Sequence, residues 1–492
     1  MIAHMTMDRV VLGVDFGTTF AKAVLATEHG QIVARASIAQ RVDRGPGGMA
    51  EQDPGAWWRD LRILVQQTMG ANRPDRDLAL AGIAISGHLP TLVLADGAGR
   101  PLAPAMLYAD RRADAFIERA CELSGQRLGG DEILPKLLWL AAFEPSRLRA
   151  ARMLFNLNDD LVYRITGERG LDHRTAMRSG LFDPVAMDWR RDVAKGLGLD
   201  PAVLPPVRRG GDVAGHALPG PAAELGIPAG TPVLVGLGDT PATLVGAGVV
   251  HAGDAMVYYG TTTTLDVCTH DFDAYLADPR PIRDWAPYRE VGYAVLGPAI
   301  RWAANGLRPV DREGDDASAD LAALDDAAAA LAPDPDAPFV IPAFEAHVPG
   351  AGHAPPAIIG LQPTHGRAEL HRAMLESFGF VARAGLEASG LAGTTHRFVA
   401  AGGGARSTLW RQIVSDTLGA AQAWARRADA DLGMAMLAAR AVLEADVFGA
   451  AAPDWLGDVE LTTPDPARVE VQERRYATWL AARAALAGVD GG

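Results

Sequence analysis

Apolar positions along this chain fall into short continuous runs broken by glycine turns, with helical spacing between them. Val10 to Asp15 is a buried-strand pattern that ends in Asp15-Phe16-Gly17-Thr18-Thr19. A second run, Ala21 to Ala26, a turn at His29-Gly30 and a third run, Gln31 to Ser37, predict a β-meander. The spacing then changes. Trp57, Trp58, Leu61, Leu64 and Val65 recur at threes and fours, which predicts a helix led in by Glu51-Gln52-Asp53-Pro54. Leu80 to Ser86 is again strand-like and runs into the loop Gly87-His88-Leu89-Pro90-Thr91. Helices follow at Pro135 to Ala142 and Leu161 to Thr166, the second stopped by Gly167. The Pro/Gly-rich segment from Pro201 to Pro232 reads as connecting loops.

An apolar run, Thr231 to Val235, feeds the turn Gly236-Leu237-Gly238-Asp239-Thr240-Pro241, and an Ala/Leu/Val helix continues from it. A rigid turn holds one carboxylate at a strand end, where α/β folds place reactive groups. Asp239 therefore reads as a general base or as a helix N-cap. Beyond it the pattern begins again: strand Ala255 to Tyr259, turn Gly260-Thr261-Thr262-Thr263-Thr264, strand Leu265 to Thr269. This repeats the organisation at Gly17 and points to duplicated domains. Amides and hydroxyls in such a turn can wrap phosphate oxygens, although a plain hairpin has the same pattern.

Further on, Asp315 to Pro338 is Ala/Asp-rich and reads as an exposed helix with a Pro-punctuated loop. Leu370 to Leu386 is a helix, and Arg397 to Ala401 a strand followed by Gly402-Gly403-Gly404-Ala405-Arg406-Ser407. A helix from Thr408 to Leu418 then ends at Gly419. Strand, glycine run and helix start make a place where backbone can approach a flat or phosphorylated ligand. Asp431-Leu432-Gly433 opens an alanine-rich helix to about Ala445.

Composition narrows the choices. At 492 residues the chain exceeds one core and calls for several domains. Lys+Arg 46 against Asp+Glu 60 gives −14, so no global attraction draws it to nucleic acid or anionic lipid. Phosphate binding must then rest on local amides. Cys121 and Cys268 are the only cysteines, which excludes a disulfide framework and fits a cytoplasmic location. No apolar run reaches the roughly 18 residues of a membrane span, and Met1 to Arg9 lacks a signal-peptide pattern.

The four glycine-bearing turns, Asp15 to Thr19, Gly236 to Gly248, Gly260 to Thr264 and Gly402 to Ser407, stand in an order that resembles the FGGY carbohydrate kinases, and within them the xylulose-kinase-like branch. The resemblance covers about Val10 to Ala445. It includes Glu51 to Pro54 with Trp57, Lys136-Leu137-Leu138-Trp139, Gly360-Leu361, Glu369-Leu370, Ala373 to Glu376, and Trp410, Gln412 and Asp416. It implies an α/β fold of two ribonuclease-H-like, actin-like ATPase domains, residues 1–250 and 251–492, with a cleft between them for sugar and ATP. It implies Asp239 as the base that takes the acceptor proton. Gly17, Thr18, Thr19, Gly260, Thr261 and Thr262 would hold phosphates, and Gly402, Gly403, Gly404 and Ala405 the adenosine. Asp15 would lie at a magnesium ion.

The acceptor side departs from the family pattern. Where xylulose kinases carry Gly-Gln-Met-His-Gly, this chain reads Gly87-His88-Leu89-Pro90-Thr91. The family's Gly-Glu-Arg-x-Pro stretch is replaced by Phe344-Glu345-Ala346-His347-Val348-Pro349. His88, Leu89, Pro90, Asp110 and Arg112 are the expected sugar or polyol contacts. Within Tyr108-Ala109-Asp110-Arg111-Arg112, the acid and its guanidinium neighbours also suit a helix cap with an ion pair. The expectation is an ATP- and Mg2+-dependent sugar kinase with no nucleic-acid or membrane partner and room for a homodimer. Two other readings stay open: a kinase-derived sugar-binding regulator and an actin-like or chaperone-like ATPase.

Overall fold

The computed structural model describes residues 8–70, 78–280, 282, 286–304, 317–341 and 354–487. They form two compact units, each built around a six-stranded mixed sheet.

In the first unit, strands β1 (Asp8–Phe16), β2 (Phe20–Thr27) and β3 (Ile32–Ala39) form the expected antiparallel meander. β1 then pairs in parallel with β4 (Leu78–Gly87). β5 (Val213–His216) and β6 (Pro232–Leu234) complete the order β5-β6-β4-β1-β2-β3. Val10, Leu12, Val14 and Phe16 alternate along β1 into one core with Ile83 and Ile85 of β4, all of them buried. Helix α1 (Pro54–Met69) closes that core with Trp57, Leu61, Leu64 and Val65. It starts where Asp53 accepts the Gly55 N–H and Pro54 fills the first position. Burying each such aliphatic side chain contributes about 1.5–3 kcal/mol.

The second unit repeats this plan. β7 (Asp254–Tyr259), β8 (Thr263–Cys268) and β9 (Tyr288–Ala294) are the meander. β10 (Arg397–Ala401) runs parallel to β7, and β11 (Gln422–Ala425) and β12 (Val459–Thr462) follow outward. The order β9-β8-β7-β10-β11-β12 has its antiparallel and parallel pairs where the first sheet has them. The internal repeat read from the two Gly-Thr-Thr turns is thus a repeat of the whole sheet.

The units are not two contiguous halves. The first takes residues 1–248 together with 272–286 and 429–456, and the second takes the rest. Within the first unit, α3 (Asp239–Gly246, where α2 is Ile133–Phe143) meets α6 (Ala430–Leu443). The helices introduced between them are α4 (Arg367–Ala388) and α5 (Thr408–Leu418), and α7 (Pro466–Leu486) ends the series. The α3–α6 crossing is held by glycines. A Cβ on Gly246 would lie 2.0 Å from the Asp429 carbonyl, and one on Gly433 1.9 Å from that of Ala242. Gly13 of β1 abuts α6 in the same way, 2.0 Å from the Asp431 carbonyl.

Two loop expectations differ from the structure. The segment Pro201 to Pro232 contains β5 and a helix, Pro219–Leu225, whose Ala222 and Leu225 add to the first core. The Ala/Asp-rich stretch forms the helix Ala317–Ala329, which is not fully exposed, because Leu324 and Ala328 are buried. Phe344 to Pro349 lies outside the described residues. No described helix is long and apolar enough to cross a membrane.

Candidate active site

Asp239 is the first residue of α3, and the N-cap is Gly238. Its Oδ1 accepts the Thr240 N–H at 2.8 Å, an interaction with its own neighbour rather than with the second or third amide of the helix. The carboxyl is pushed up to about 6, by burial first, against the Thr240 N–H and the Arg178 guanidinium, which pull it down. A carboxylate near neutrality at a helix start suits proton abstraction.

Asp15 is the last residue but one of β1 and is buried. Ser86 on β4 donates to its Oδ1 at 2.7 Å. Burial, then the neighbouring Asp429 and Asp239 charges, raise its carboxyl to about 8. Lys22 Nζ meets Asp429 Oδ2 at 2.6 Å and offsets part of that repulsion. Arg35 forms a two-pronged pair with the fully buried Asp431. Asp15 on β1 thus feels two further carboxylates, Asp239 from α3 and Asp429 from the start of α6. Among the described residues, no group of three or more His, Cys, Asp or Glu is arranged to hold a metal ion.

The first Gly-Thr-Thr turn is tight, with Gly17 N–H donating to the Phe20 carbonyl at 3.0 Å. Thr18 shares a side-chain hydrogen bond with Tyr108, a partner that the sequence reading left unassigned. In the second unit, the Thr261 carbonyl accepts the Gly297 N–H at 3.0 Å. There is little room at Gly260, where a Cβ would lie 2.5 Å from the Tyr258 ring. Gly402, with φ 87°, abuts the Tyr259 carbonyl, 2.7 Å from an added Cβ. The structure therefore joins the second turn and the glycine run at Tyr258-Tyr259. Gly404 presses on the Trp410 ring, Gly403 is open, and the buried Ala405 passes its carbonyl to Arg411. Ser407 then caps α5 by accepting the Trp410 N–H at 3.0 Å.

On the acceptor side the polar residues are committed inward. His88 is 1% exposed. Its Nε2 lies 3.1 Å from Gln52 Oε1 and its Nδ1 2.8 Å from Thr91 Oγ1. Gln52 Oε1 already accepts the Trp57 indole N–H, so it accepts from His88 too, which assigns the Nε2–H tautomer. Burial lowers the imidazole to about 4, so it is neutral. Asp110 is fully buried. Its Oδ1 accepts from Arg112 N and Nε at 3.0 Å, and its Oδ2 from Ala50 N at 3.1 Å and Arg112 Nη2 at 2.6 Å. Arg112 also meets Glu51 at 2.5 Å and lies over the Trp139 ring at 4.6 Å. Neither His88 nor Asp110 keeps an unpartnered polar atom, a difference from the expectation of direct sugar contacts.

Leu89 and Pro90 are placed differently. The Leu89 side chain covers Gly238, next to Asp239. The Pro90 carbonyl accepts from the fully buried Lys136 Nζ at 3.1 Å, and Lys136 also donates to the Asp131 carbonyl at 2.5 Å. Burial lowers that ammonium to about 7. Asp131 and Glu132 in turn pair with Arg178, which tunes Asp239. Arg178, Asp429 and Lys22 carried no motif of their own in the sequence.

The model of the FGGY carbohydrate kinase N-terminal domain matches residues 10–246, and that of the C-terminal domain residues 256–442. The chain belongs to the FGGY family of carbohydrate kinases. As an FGGY kinase it is an ATP-dependent phosphotransferase. It is 30% identical over 446 residues to the xylulose kinase of Escherichia coli K12, covering 87% of this chain and 88% of that one. It is also 29% identical over 442 residues to the autoinducer-2 kinase of Enterobacter sp. 638, covering 83% and 81%. The crystal structure of xylulose kinase from Rhodospirillum rubrum superposes with a TM-score of 0.80 at 27% identity, covering 97% of this chain and 99% of that one.

Proposed function

We propose that this FGGY kinase phosphorylates a hydroxyl of a ketopentose or a related small sugar or polyol, with Asp239 as general base. The observation that carries this is the Asp239 carboxyl, held near neutrality at a helix start with Leu89 and the Asp15 turn beside it. The acceptor O–H gives its proton to Asp239 as its oxygen bonds to the γ-phosphorus of ATP. The bond from phosphorus to the bridging oxygen breaks and ADP leaves with that electron pair. The similarity to xylulose kinases supports a pentulose acceptor. That to an autoinducer-2 kinase supports keeping the acceptor class wider.

The phosphates fall to the amides and hydroxyls of Gly17 to Thr19 in the first unit and Gly260 to Thr262 in the second. Adenosine falls to Gly402 through Ala405. The charges of Asp429 and Asp239 add to burial in raising Asp15, and a divalent cation there would relieve that repulsion. Magnesium binds through one or two carboxylates plus substrate phosphates. Asp15 would hold it, and the ion would neutralise charge on the transferring phosphate.

In the acceptor pocket, His88, Asp110 and Arg112 act as supports, and Leu89 and Pro90 shape the wall. Apolar walls discriminate by roughly 10–200-fold, against ~10⁴ or more for a site built around a hydroxyl. A coupled ADP-release screen over four- to six-carbon ketoses, aldoses and polyols tests the reading. A single aldose accepted to the exclusion of every ketose and polyol would overturn the acceptor class. ATP turnover with no acceptor dependence would overturn the sugar-kinase reading itself.

A further inference from the structure

Arg411 is buried and sits at the end of the first turn of α5. A guanidinium there meets the positive end of the helix macrodipole and has lost its water. Neither effect favours the position, so what the side chain holds must offset them. Each of its three nitrogens donates. Nη1 donates to the Ala405 carbonyl, Nε to Thr462 Oγ1 at 3.2 Å and Nη2 to Glu460 Oε2 at 3.0 Å. The guanidinium lies over the Trp424 ring, 4.3 Å from its centroid.

Ala405 ends the run from Gly402, and the other contacts of that run lead back to the same helix. Gly402 abuts the Tyr259 carbonyl. A Cβ added at Gly404 would lie 2.7 Å from the Trp410 ring and 3.1 Å from Tyr259 Cβ. The Tyr259 hydroxyl donates to Gln422 Oε1 at 2.7 Å. Gln422 Nε2 donates in turn to the Arg411 carbonyl at 3.0 Å and to Ser415 Oγ at 2.9 Å. A ring of contacts thus runs from Tyr259 through Gln422 and Arg411 to Ala405, and Arg411 enters it with both backbone and side chain. Its outer anchor lies beyond the stretch that matches the family. The C-terminal FGGY match ends at residue 442, whereas Glu460 and Thr462 are on β12, the edge strand of the second sheet.

We propose that Arg411 is a positioning residue for the nucleoside, tying the adenosine loop to edge strand β12 through Glu460 and Thr462. This rests on the reading of Gly402 to Ala405 as the adenosine loop. A planar fork suits the task, because one side chain fixes the Ala405 carbonyl against two points of a second element. Lysine, a point donor on a flexible stem, does not serve three acceptors in that geometry. In this role Arg411 acts through Ala405 rather than on the nucleotide itself. It holds the loop in place before ATP arrives, which lowers the ordering cost of binding.

The test compares full-length Arg411→Lys, Glu460→Gln and Gly404→Ala with the wild type in steady state. Two inhibitors that compete with ATP, ADP and inorganic tripolyphosphate, separate the nucleoside from the phosphates. Arg411→Lys should raise the KM for ATP and the Ki for ADP by about tenfold, as expected for losing a hydrogen bond from a charged group. Its Ki for tripolyphosphate, its acceptor KM and its kcat at saturating ATP should stay near wild type. Glu460→Gln, on the exposed strand, should shift the same two nucleotide constants by a smaller factor, and it carries the test if Arg411→Lys does not fold. Equal losses for ADP and tripolyphosphate, a fall in kcat with the KM for ATP unmoved, or an ADP Ki unchanged in both variants would overturn the proposal. Gly404→Ala displaces the loop itself against Trp410. If it raises the Ki for ADP and the other two variants do not, the adenosine reading stands and the role of Arg411 falls. If it leaves that Ki unchanged, the adenosine reading falls and takes the role of Arg411 with it.

Discussion

Leu89 lies directly on Gly238: a methyl group added at Gly238 would sit 1.9 Å from Leu89 Cδ2. The Leu89 side chain of the Gly87–Thr91 loop and the turn that presents Asp239 are therefore in contact. Gly238→Ala should displace the Leu89 side chain beside Asp239 and lower kcat/KM for the acceptor by up to ~10²-fold, the cost of a misplacement of about 1 Å. The KM for ATP should stay near wild type. An unchanged acceptor kcat/KM would show that the loop plays no part in positioning.

The loop from Gly87 to Thr91, proposed above to line the acceptor pocket, gives a test of acceptor preference. Leu89→Met with Pro90→His restores the pair found in xylulose kinases at these positions. The double variant should gain kcat/KM for xylulose relative to other acceptors on a common panel. If the wild type already strongly prefers xylulose and the variant gains nothing, acceptor choice is fixed elsewhere.

Asp239→Asn keeps the size of the side chain and removes its basicity. It should lose roughly 10²–10⁴-fold in kcat with little change in ATP binding. In the wild type kcat/KM should fall below about pH 6, where the base becomes protonated. A variant with near wild-type kcat, or a wild-type profile flat down to pH 5, contradicts the assignment.

The turn at Gly260, proposed above to hold phosphate, leaves little room: an added Cβ would lie 2.5 Å from the Tyr258 ring and 2.9 Å from the Thr262 carbonyl. Gly260→Val should raise the KM for ATP strongly while leaving acceptor affinity near wild type. An ATP KM that does not move would make this turn an ordinary hairpin.

His88 gives a prediction about stability. Its folded pKa, about 4, is below the unfolded value of about 6.5. The folded state thus binds fewer protons than the unfolded one between these values. The stability that the neutral imidazole contributes is present above pH 6.5 and is lost as the pH falls toward 4. The melting temperature should drop from pH 7 to pH 5 less steeply in His88→Gln than in the wild type. Equal slopes would mean that the imidazole is not held neutral.

Much of the fold was legible because glycine and apolar periodicity carry it. Helix α5 begins and ends where Ser407 and Gly419 place it, with Gly419 at φ 64°. Both meanders lie where the two Gly-Thr-Thr turns put them. The acceptor side was less legible. Asp110 and His88 look like ligands in sequence, but their partners, Ala50 and Gln52, come from another strand and no spacing rule links them. Asp429 and Arg178 bear on Asp15 and Asp239 from distant segments, and charge coupling at that separation leaves no local pattern. The segment after Pro201 looked like loop because its strand and helix are too short for periodicity to register.

Helix α6 has a consequence for how the enzyme is made. It packs on β1, β4 and α3, and it reaches the first unit only from residue 430. On the ribosome the first 250 residues emerge long before it, with Gly13, Gly246 and the faces around them uncovered. Domains generally fold in the order of synthesis, but this one lacks a wall until residues 430–443 are out. The nascent first half thus has its six-stranded sheet but not the helix that covers it, and Asp15 and Lys22 lack their neighbour Asp429. A product stopped short of residue 430 would be a client for chaperones or proteases, so the arrangement around Asp15 and Asp239 belongs only to chains translated past α6.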